Sequence, residues 1–583
     1  MKLTEEQKEV IAAEGNAKVN AVAGSGKTTT LIHFAKARPG NRILYLAFNR
    51  SVRQEAQRKF AEEGLGNVDV QTAHSLAYQY VMRKYRYELV SDYKAHELAE
   101  ILNLNARGIG KQNLYGLISH IKRLAQLFCN QQTRKVRELN YQATLKDDSS
   151  RQFVEKYYDR ILRGARVLLA KMDKGQIPIT HDFYLKKFQL NTPKLHYDYI
   201  LFDEGQDASP VMLDVFLQQS AHKVIVGDRH QQIYGWRSAI NALHQVDFPT
   251  LFLSNSFRFD QDLAELAAAY ISWKDYLKRD ASIRIQGMGT CKSKKTQATL
   301  ARTNLSLLRK AILAVEGGKL KRLYFEGNLN SYTYAQEGAS LYDVLNLYKG
   351  KKRRIRDKLI ASMSSFEDLQ SYVEATEDRE LGMMMEIVQE FKGEIPKLLN
   401  KLKEAHLPNE EKHRAEMIFS TVHRCKGMEY DQVYLEEDFL GEEDIWDSSK
   451  DPQLNTQDRN RLEEEINLLY VACTRTKNIL HLPEYLLPKD WEESESGKRI
   501  QTLDPLPSPS SQKSSSPTSS RKKFSPQKDN TSKTNAYKRW SYQEENQLKE
   551  WYEAGETVTE IAKKLKRKPG AVYARIKKMR LFE

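Results

Sequence analysis

The segment AVAGSGKT, which ends at Thr28, runs into a helical stretch and has the composition of a phosphate-binding loop. Gly24 and Gly26 allow backbone N–H groups to curl around phosphates. Lys27 can reach the β- and γ-phosphates, and the Thr28 hydroxyl can ligate Mg²⁺. The segment departs from the usual pattern at Ala21, which replaces the first glycine. A chance loop is the alternative, but the order strand, loop, helix favours nucleotide binding.

A phosphate loop needs a second, acidic element to hold the metal ion and orient water. The segment YILFDEGQD (199–207) supplies it at the end of a predicted strand. We expect Asp203 to lie in the outer shell of Mg²⁺ and Glu204 to act as general base. Alone, this pair would be explained as a cap of the next helix. Together with the phosphate loop it predicts an ATPase.

The charge balance favours an anionic partner. The 583 residues include 92 Lys and Arg against 77 Asp and Glu, a net charge of +15. Nucleic acid is the commonest such partner, although a merely soluble basic protein would fit charge alone equally well. The four cysteines form no C-x-x-C pair, which supports neither a zinc site nor a disulfide framework. No apolar run is long enough for a membrane span or a signal peptide.

The elements that must position these residues form an α/β pattern. Short apolar runs bounded by turn or charge signals predict buried parallel strands at 44–48, 199–203, 223–228 and 432–437. Strand patterns are missing from about 84–183 and 316–412, which predicts two helical insertions. The basic run KKRRIRDK in the second insertion is interpreted as a solvated helix face rather than a binding or targeting motif.

Taken in order, the motifs resemble those of superfamily 1 DNA helicases of the UvrD/Rep/PcrA type, over about residues 3–485. The blocks are LTEEQ (3–7), AVAGSGKT (21–28), LAFNRS (46–51), TAHSLAY (72–78), DEGQD (203–207), GDRHQQIYGWRSA (227–239), SFR (256–258), STVHRCKGMEY (420–430) and EEEINLLYVACTRTK (463–477). FNRS, YDVLNLYKGKKRRIRDKLI and INLLYVACTR are similar to the F-box DNA helicase branch. No F-box precedes LTEEQ, so a ubiquitin-ligase role is not expected, and a bacterial or viral relative fits better.

This resemblance implies roles in an ATP site. Gln7 would read adenine, Phe257 would stack on it, and Glu429 would touch the ribose. Gln231 would sense the γ-phosphate. Arg258 and Arg475 would be arginine fingers from a second motor domain, each worth ~10³–10⁵ in rate and dependent on cleft closure. The implied nucleotide-binding residues are Gln7, Ala23, Gly24, Ser25, Gly26, Lys27, Thr28, Thr29, Phe257 and Glu429.

The resemblance also implies a strand-binding face. Stacking suits a translocase because every base has a π-face, so an affinity of about 1–3 kcal/mol per base is sequence-tolerant. Core packing is the alternative for each ring, and it weighs most for Phe48. Ala73 stands where relatives often carry Phe, so one stacking contact is expected to be missing. The implied stacking residues are Phe48, Tyr234 and Trp236, and the implied backbone contacts are Asn49, Thr72, His74, Thr421 and His423.

The last part of the chain changes character. A Ser- and Pro-rich stretch at 505–537 predicts a flexible linker. Residues 538–583 show three helix-period patterns and resemble a Myb-like or helix-turn-helix module. Its last helix is basic, with Arg575 and Lys577 as expected DNA contacts. Docking of a protein is the alternative for this module.

These observations predict an α/β fold of two RecA-like P-loop motor domains, each with a helical insertion, followed by a small all-α trihelical module on a flexible linker. The expected boundaries are 1–83 and 184–250 for motor domain 1A, 84–183 for insertion 1B, 251–315 and 413–490 for motor domain 2A, 316–412 for insertion 2B, 491–537 for the linker and 538–583 for the DNA-binding module.

The predicted function is an ATP-dependent 3′→5′ DNA helicase or single-strand translocase in DNA repair or recombination, with ATP and Mg²⁺ as cofactors. Expected partners are single-stranded and forked DNA and recombinase or repair proteins, with the protein a monomer away from membranes. It would be cytoplasmic and nucleoid-associated in a prokaryote, or nuclear in a eukaryote. The alternatives are a translocase that strips proteins from DNA with little unwinding, and a sequence-specific DNA-binding regulator with a switch-like ATPase.

Overall fold

The computed structural model describes residues 2–105, 111–145, 148–235, 239–318, 320–333, 339–376, 379–452, 454–491, 499–503, 542–554, 556, 558–565, 567, 572 and 575. The chain falls into two compact units, Met1–Pro505 and Leu506–Glu583.

The strands are β1 Ala17–Ala21, β2 Ile43–Ala47, β3 Val68–Thr72, β4 Tyr199–Phe202, β5 His222–Gly227, β6 Thr250–Leu253, β7 Asn255–Ser256, β8 Gln286–Gly287, β9 Gln297–Ala301, β10 Leu323–Phe325, β11 Met417–Thr421, β12 Tyr430–Leu435, β13 Thr476–Pro483 and β14 Ile500–Leu503. The helices are α1 Glu5–Ala12, α2 Lys27–Lys36, α3 Arg50–Glu62, α4 Ala73–Tyr85, α5 Ala95–Ile101, α6 Lys111–Asn130, α7 Asp148–Asp173, α8 His181–Asn191, α9 Pro210–Leu217, α10 Ala242–Gln245, α11 Gln261–Ser272, α12 Asn304–Glu316, α13 Leu341–Tyr348, α14 Lys358–Ser362, α15 Phe366–Thr376, α16 Arg379–Phe391, α17 Ile395–Ala405, α18 Val422–Cys425, α19 Glu442–Ser449, α20 Thr456–Cys473, α21 Tyr542–Glu553 and α22 Val558–Lys564.

Six parallel strands, in the order β3-β2-β4-β5-β1-β6, form the first sheet. We call β1–β6 and the helices packed on them the first α/β domain. Its central strands β2 and β4 are buried at every residue, which explains their unbroken apolar sequences. The predicted boundary at residue 250 is wrong, because Thr250–Leu253 pairs in register with Lys18–Ala21 as the edge strand β6.

A second sheet of six parallel strands has the order β10-β11-β9-β12-β13-β14. We call these strands and the helices packed on them the second α/β domain. Two of its edge strands contradict the sequence-based boundaries. β10 lies within 316–412, predicted to be a helical insertion, and β14 lies within 491–537, predicted to be linker. The chain therefore stays bound to the second sheet as far as Leu503.

Two groups of helices extend from these sheets. Between β3 and β4, helices α4 to α8 surround a shared apolar core, and no strand longer than an isolated bridge occurs among the described residues of 84–183. Between β10 and β11, helices α13 to α17 surround another. Their apolar residues recur at helical spacing, so each helix buries one stripe and leaves the rest in solvent.

In the second unit, α21 and α22 pack through a small cluster that comprises Leu548, Ile561, Ala562, Leu565 and Val572. The predicted third helix lies largely outside the described residues, as does nearly all of the predicted linker from residue 504 onward. Among the helices that are described, none has the length and apolar character needed to cross a membrane.

Candidate active site

The phosphate loop lies between β1 and α2, at the carboxyl edge of the first sheet. Gly24 and Gly26 both have a φ of +76°, a left-handed conformation that glycine adopts without steric cost. A Cβ at Gly24 would lie 2.6 Å from Arg258 Cβ, so a side chain there would also clash. The Ser25 hydroxyl is buried and finds no hydrogen-bond partner among the described residues. A tight glycine loop at a helix start, with one unpaired buried donor, fits a bound phosphate chain.

The acidic pair stands at the end of β4, facing this loop. Glu204 Oε1 accepts a hydrogen bond from Lys27 Nζ at 2.9 Å. Asp203 accepts one from the Tyr45 hydroxyl and, at 2.9 Å, another from the Glu204 N–H. Glu204 itself has a φ of 54°, uncommon for a residue with a side chain and typical of functional sites. The structure thus brings Lys27, Asp203 and Glu204 together.

Burial and charge shift the pKa values of these groups in different directions. Burial, assisted by the Glu204 carboxylate, raises the pKa of Asp203 to about 6. Burial would also raise the pKa of Glu204, but the positive charges of Lys27 and Lys426 lower it to about 2. Burial opposes the charge on Lys27, yet Glu204 and Asp203 leave its pKa raised. Glu204 and Lys27 therefore form a charged pair at neutral pH.

Thr28 and Asp203, the two predicted metal ligands, meet at one side chain. The Tyr45 hydroxyl donates to the Asp203 carboxylate. Burial raises the pKa of Tyr45, and Thr28 lies close enough to its hydroxyl to oppose that larger effect slightly. Hydroxyl and carboxylate oxygens are donors that Mg²⁺ prefers, with water and phosphate oxygens completing its shell. No group of three His, Cys, Asp or Glu that could hold a metal ion occurs in the described part of the chain. This sparse oxygen set suits Mg²⁺ better than zinc.

Gln7 and Phe257 adjoin the same glycine of the loop. A Cβ on Gly26 would lie 3.1 Å from Gln7 Nε2 and 3.9 Å from the Phe257 ring. The Gln7 amide nitrogen donates to the Ser25 carbonyl at 3.4 Å, while its amide oxygen accepts the N–H of Thr4 in the capping box of α1. Gln7 therefore already has structural partners, and its amide nitrogen points along the loop.

Both predicted arginine fingers lie at the boundary between the two α/β domains. Arg475 is 1% exposed and donates to Gln231 Oε1 at 3.4 Å. Its burial, together with the nearby Arg258, lowers its pKa to about 10. Arg258 donates to Glu429 Oε1 from Nε and a terminal nitrogen, at 2.9 and 2.6 Å. The residue expected to touch the ribose is thus paired with a predicted finger.

Several side chains that sequence reasoning missed hold the cleft together. Lys426 donates to the buried Asp207 carboxylate and, at 2.6 Å, to the Gln231 carbonyl. Burial raises the pKa of Asp207 to about 6. The Tyr470 hydroxyl donates to Asp228 Oδ2 at 2.8 Å. These residues lie inside the motif strings, but nothing in the strings indicates which partner each takes across the cleft.

Three of the predicted strand-binding residues, Phe48, Tyr234 and His423, lie together where the two α/β domains meet. The Phe48 and Tyr234 rings stack, with centroids 5.7 Å apart and planes 19° apart. The Tyr234 hydroxyl donates to the His423 carbonyl at 2.8 Å, and His423 Nε2 bonds the Ile233 carbonyl at 3.1 Å. Lys426 Nζ lies 5.1 Å from the centroid of the Tyr234 ring. An aromatic pair and a cation therefore lie together where the two α/β domains meet.

Other predicted strand contacts have local structural partners. Asn49 caps α3 by accepting the Val52 N–H at 3.0 Å, and Thr72 caps α4 by accepting the Ser75 N–H at 3.0 Å. The His74 ring meets Tyr184 edge-on. Of the other four predicted contacts, Thr421 is buried just before α18 and Arg575 is partly buried, with its pKa lowered by burial. Trp236 and Lys577 lie outside the described residues.

Comparison with known proteins identifies the family. Residues 3–246 match the UvrD/REP helicase N-terminal domain, and residues 328–485 match the UvrD-like helicase C-terminal domain. The first match contains the phosphate loop and the acidic pair, and the second contains Glu429 and Arg475.

Individual relatives agree with these matches. F-box DNA helicase 1 of Gallus gallus is 29% identical over 524 residues, which cover 83% of this chain and 49% of the relative. F-box DNA helicase protein 1 of Schizosaccharomyces pombe is 28% identical over 527 residues, covering 82% and 57%. The ATP-dependent DNA helicase PcrA of Leuconostoc citreum is 25% identical over 299 residues, covering 45% and 38%. The chain spans about half the length of the two F-box relatives. With both helicase domains matched in order around one cleft, the chain belongs to the family of UvrD-like helicases.

Proposed function

We propose that this chain is an ATP-dependent DNA helicase that moves 3′→5′ along single-stranded DNA and acts in DNA repair or recombination. The observation that carries the proposal is the cleft in which Lys27 and Glu204 of the first α/β domain face Arg475 of the second, with Gln231 bonded to that arginine. Phosphoryl transfer depends mainly on positioning and on charge stabilisation, and residues of both α/β domains supply these in the cleft.

The chain's own groups have separable tasks in hydrolysis. Lys27 would exchange its pairing with Glu204 for the β- and γ-phosphates of ATP. Glu204, released from that pairing, would orient the attacking water and accept its proton. Arg475 and Arg258 would stabilise charge on the transferring phosphoryl group. Thr28 and Asp203 would hold Mg²⁺, which when bound neutralises charge on the phosphate oxygens.

Coupling to the strand would pass through Lys426 and the segment that contains Gln231. Lys426 bonds the Gln231 carbonyl and also lies over the ring of Tyr234. A shift of Gln231 on loss of the γ-phosphate would therefore move a cation and a ring that face the strand. This is a gating arrangement, in which closure of the cleft completes the catalytic set.

Single-stranded and forked DNA are the proposed partners, together with recombinase or repair proteins that occupy such DNA. The printed names of the relatives, all DNA helicases, support the substrate class. The 3′→5′ direction, a monomeric state, a nuclear or nucleoid location and the DNA-binding role of the C-terminal module complete the proposal. The net charge of +15 supports a polyanionic partner.

ATPase activity with single-stranded DNA, duplex DNA and RNA, measured side by side, tests the substrate class. We expect single-stranded DNA of arbitrary sequence to give the strongest stimulation. Stimulation restricted to one duplex sequence would instead indicate a DNA-binding regulator. Strand displacement on duplexes with 3′ or 5′ tails then tests direction. Clearance of a recombinase filament without strand displacement would identify a protein-stripping translocase.

A further inference from the structure

Tyr78 is the last residue of the TAHSLAY block, and it is not among the predicted strand contacts. It is 43% exposed, which places it among the most exposed aromatic residues of the described chain. It lies on α4, four residues after His74, and residues four apart share one face of a helix. Tyr78 therefore extends the face that begins at His74, one turn further along the helix.

A buried tyrosine holds this face in place. The Tyr184 ring on α8 is 5% exposed, and Tyr78 meets it edge-on with centroids 5.8 Å apart and planes at 77°. His74 meets the same ring at 5.9 Å and 85°, and His181 meets it at 5.6 Å and 83°. Edge-to-face contacts of this kind stabilise ring pairs beyond simple area burial. They also fix the orientation of Tyr78 without covering both of its faces.

Tyr78 lies one helical turn beyond His74, close to the edge of the sheet at which Phe48 also lies. Ala47 of β2 pairs with Thr72 of β3 in register, so Phe48 and His74 leave neighbouring strands at the same edge of the sheet. Neighbouring strands lie about 4.8 Å apart. Four residues of helix advance about 6 Å, so the step from His74 to Tyr78 is of similar size. Ala73, between Thr72 and His74, carries no ring that could stack on a base.

We propose that Tyr78, the last residue of the TAHSLAY block and held by Tyr184, is a base-stacking position for single-stranded DNA in addition to the Phe48–Tyr234 pair. The inference rests on the proposed function, since it assumes that a single strand crosses this edge of the sheet. A tyrosine face recognises any base, so the position would add affinity without sequence preference.

The test measures binding of two fluorescein-labelled oligonucleotides of equal length at one salt concentration, to the full chain. One is oligodeoxythymidine, and the other is an abasic sugar–phosphate chain that keeps the charges but has no rings. Tyr78→Ala should weaken binding of oligodeoxythymidine by about 5- to 150-fold, the equivalent of one stacked base. It should change binding of the abasic chain by less than about twofold, because phosphate contacts remain. Tyr78→Phe should restore binding of oligodeoxythymidine.

Tyr348 provides a matched control. It is 39% exposed and meets the Phe366 ring edge-on at 5.1 Å and 78°, but it lies on α13, among the helices between β10 and β11. Tyr348→Ala should leave both affinities unchanged. Equal weakening by Tyr78→Ala and Tyr348→Ala would overturn the inference, as would equal losses for the two oligonucleotides.

Failure of the inference and failure of the proposed function give different results. If wild-type protein does not bind oligodeoxythymidine, the proposed function is wrong. If wild-type protein binds it and Tyr78→Ala binds equally well, only the stacking position is wrong, and the exposed ring is then left as a surface for a protein partner.

Discussion

The two α/β domains have sheets of equal size and the same parallel sense, but the donors in the loops after β1 and β9 differ in what they bind. In the first domain, β1 leads through the phosphate loop into α2, and the buried Ser25 hydroxyl has no partner among the described residues. In the second, β9 leads into α12, and the loop N–H groups of Arg302 and Thr303 donate to the Asp438 carboxylate at 2.9 and 2.8 Å. The second domain therefore carries its own anion.

This difference teaches that the fold supplies an anion position, while the local residues decide what fills it. Backbone N–H groups at a helix start attract negative charge wherever a strand leads into a helix. In the second domain a built-in carboxylate satisfies them, and that domain contributes cations such as Arg475 to the cleft instead. Under the proposed function, the first sheet would receive the phosphates of ATP, and the second would supply cations that stabilise them.

The largest effect is expected from a substitution in the phosphate loop of the first α/β domain. Lys27→Ala should reduce ATP turnover at least about 10³-fold, because Lys27 is the cation that pairs with Glu204 at the loop and that would reach the phosphates. Steady-state ATPase with saturating single-stranded DNA measures it. Lys36→Ala, at the far end of α2 in a surface pair with Glu63, is the control and should behave as wild type. Turnover at the wild-type rate in Lys27→Ala would place the active site elsewhere.

A second substitution tests the arginines that line the cleft opposite the phosphate loop. Arg475→Lys keeps the charge but loses the planar fork, and it should lower kcat by about 10²- to 10³-fold. Because Arg475 is buried, Arg258→Lys serves as a second variant with more room. Arg309→Lys, in an exposed pair with Glu390, is the control. Full activity in both cleft variants would show that the planar fork of neither arginine contributes to catalysis.

A third substitution sharpens the comparison within the second domain. Asp438→Ala leaves the N–H groups of Arg302 and Thr303 without their acceptor, at a cost of about 2–3 kcal/mol. The thermal midpoint should fall, while the affinity for ATP at the first domain should change little. Asp447→Ala, in an exposed pair with Lys450, is the control for loss of a surface carboxylate. An unchanged midpoint would mean that Asp438 does not stabilise the loop.

A truncation tests whether the two α/β domains are sufficient for ATPase activity without the C-terminal module. The cut belongs after Pro505, because an earlier cut near residue 500 would remove β14 from the second sheet. ATPase on saturating single-stranded DNA should persist, and affinity for a fork should fall at least about tenfold with a flatter salt dependence, since a second linked contact is lost. Equal affinity and equal salt slope would indicate that the C-terminal module docks a protein.

The smallest expected effect concerns histidine charge on the strand-binding face. Burial lowers the pKa of His423 to about 4, so its ring stays neutral in the folded protein as pH falls from 7.5 to 5.5. Because its folded pKa lies below its unfolded value, lowering the pH costs stability at this residue and adds no positive charge for DNA. His423→Gln should therefore show the same pH dependence of strand affinity as wild type. A steeper rise at low pH in wild type alone would contradict this.

The strands that sequence patterns predict are the buried ones. The four predicted runs coincide with β2, β4, β5 and β12 within one or two residues, because a parallel strand covered on both faces must be apolar throughout. Strands β10 and β14 have only three and four residues, and β14 is partly exposed at the sheet edge. Neither presents enough alternation or apolar length to be recognised.

The candidate site also combines groups that the sequence predicts with contacts that it does not. Groups within one loop or strand end were predictable, because Lys27 and Glu204 follow from the chemistry of phosphate binding. Pairs across the cleft were not: Lys426 meets Asp207 from 219 residues away, and only tertiary packing decides that contact. The roles of the predicted strand contacts stay predictions, and the capping use of Thr72 shows a second reason for its residue type.

The order of strands along the chain also bears on how the protein is made. Every strand of the first sheet has been synthesised once Leu253 is added to the chain. The second sheet is complete only after β14, about 250 residues later. At about 5–20 residues per second, that is an interval of roughly 10–50 s. During it, Ala23 and Ile233, whose buried partners lie mostly in the second α/β domain, have not yet been covered. The proposed nucleotide cleft is thus completed only when the second α/β domain has been synthesised.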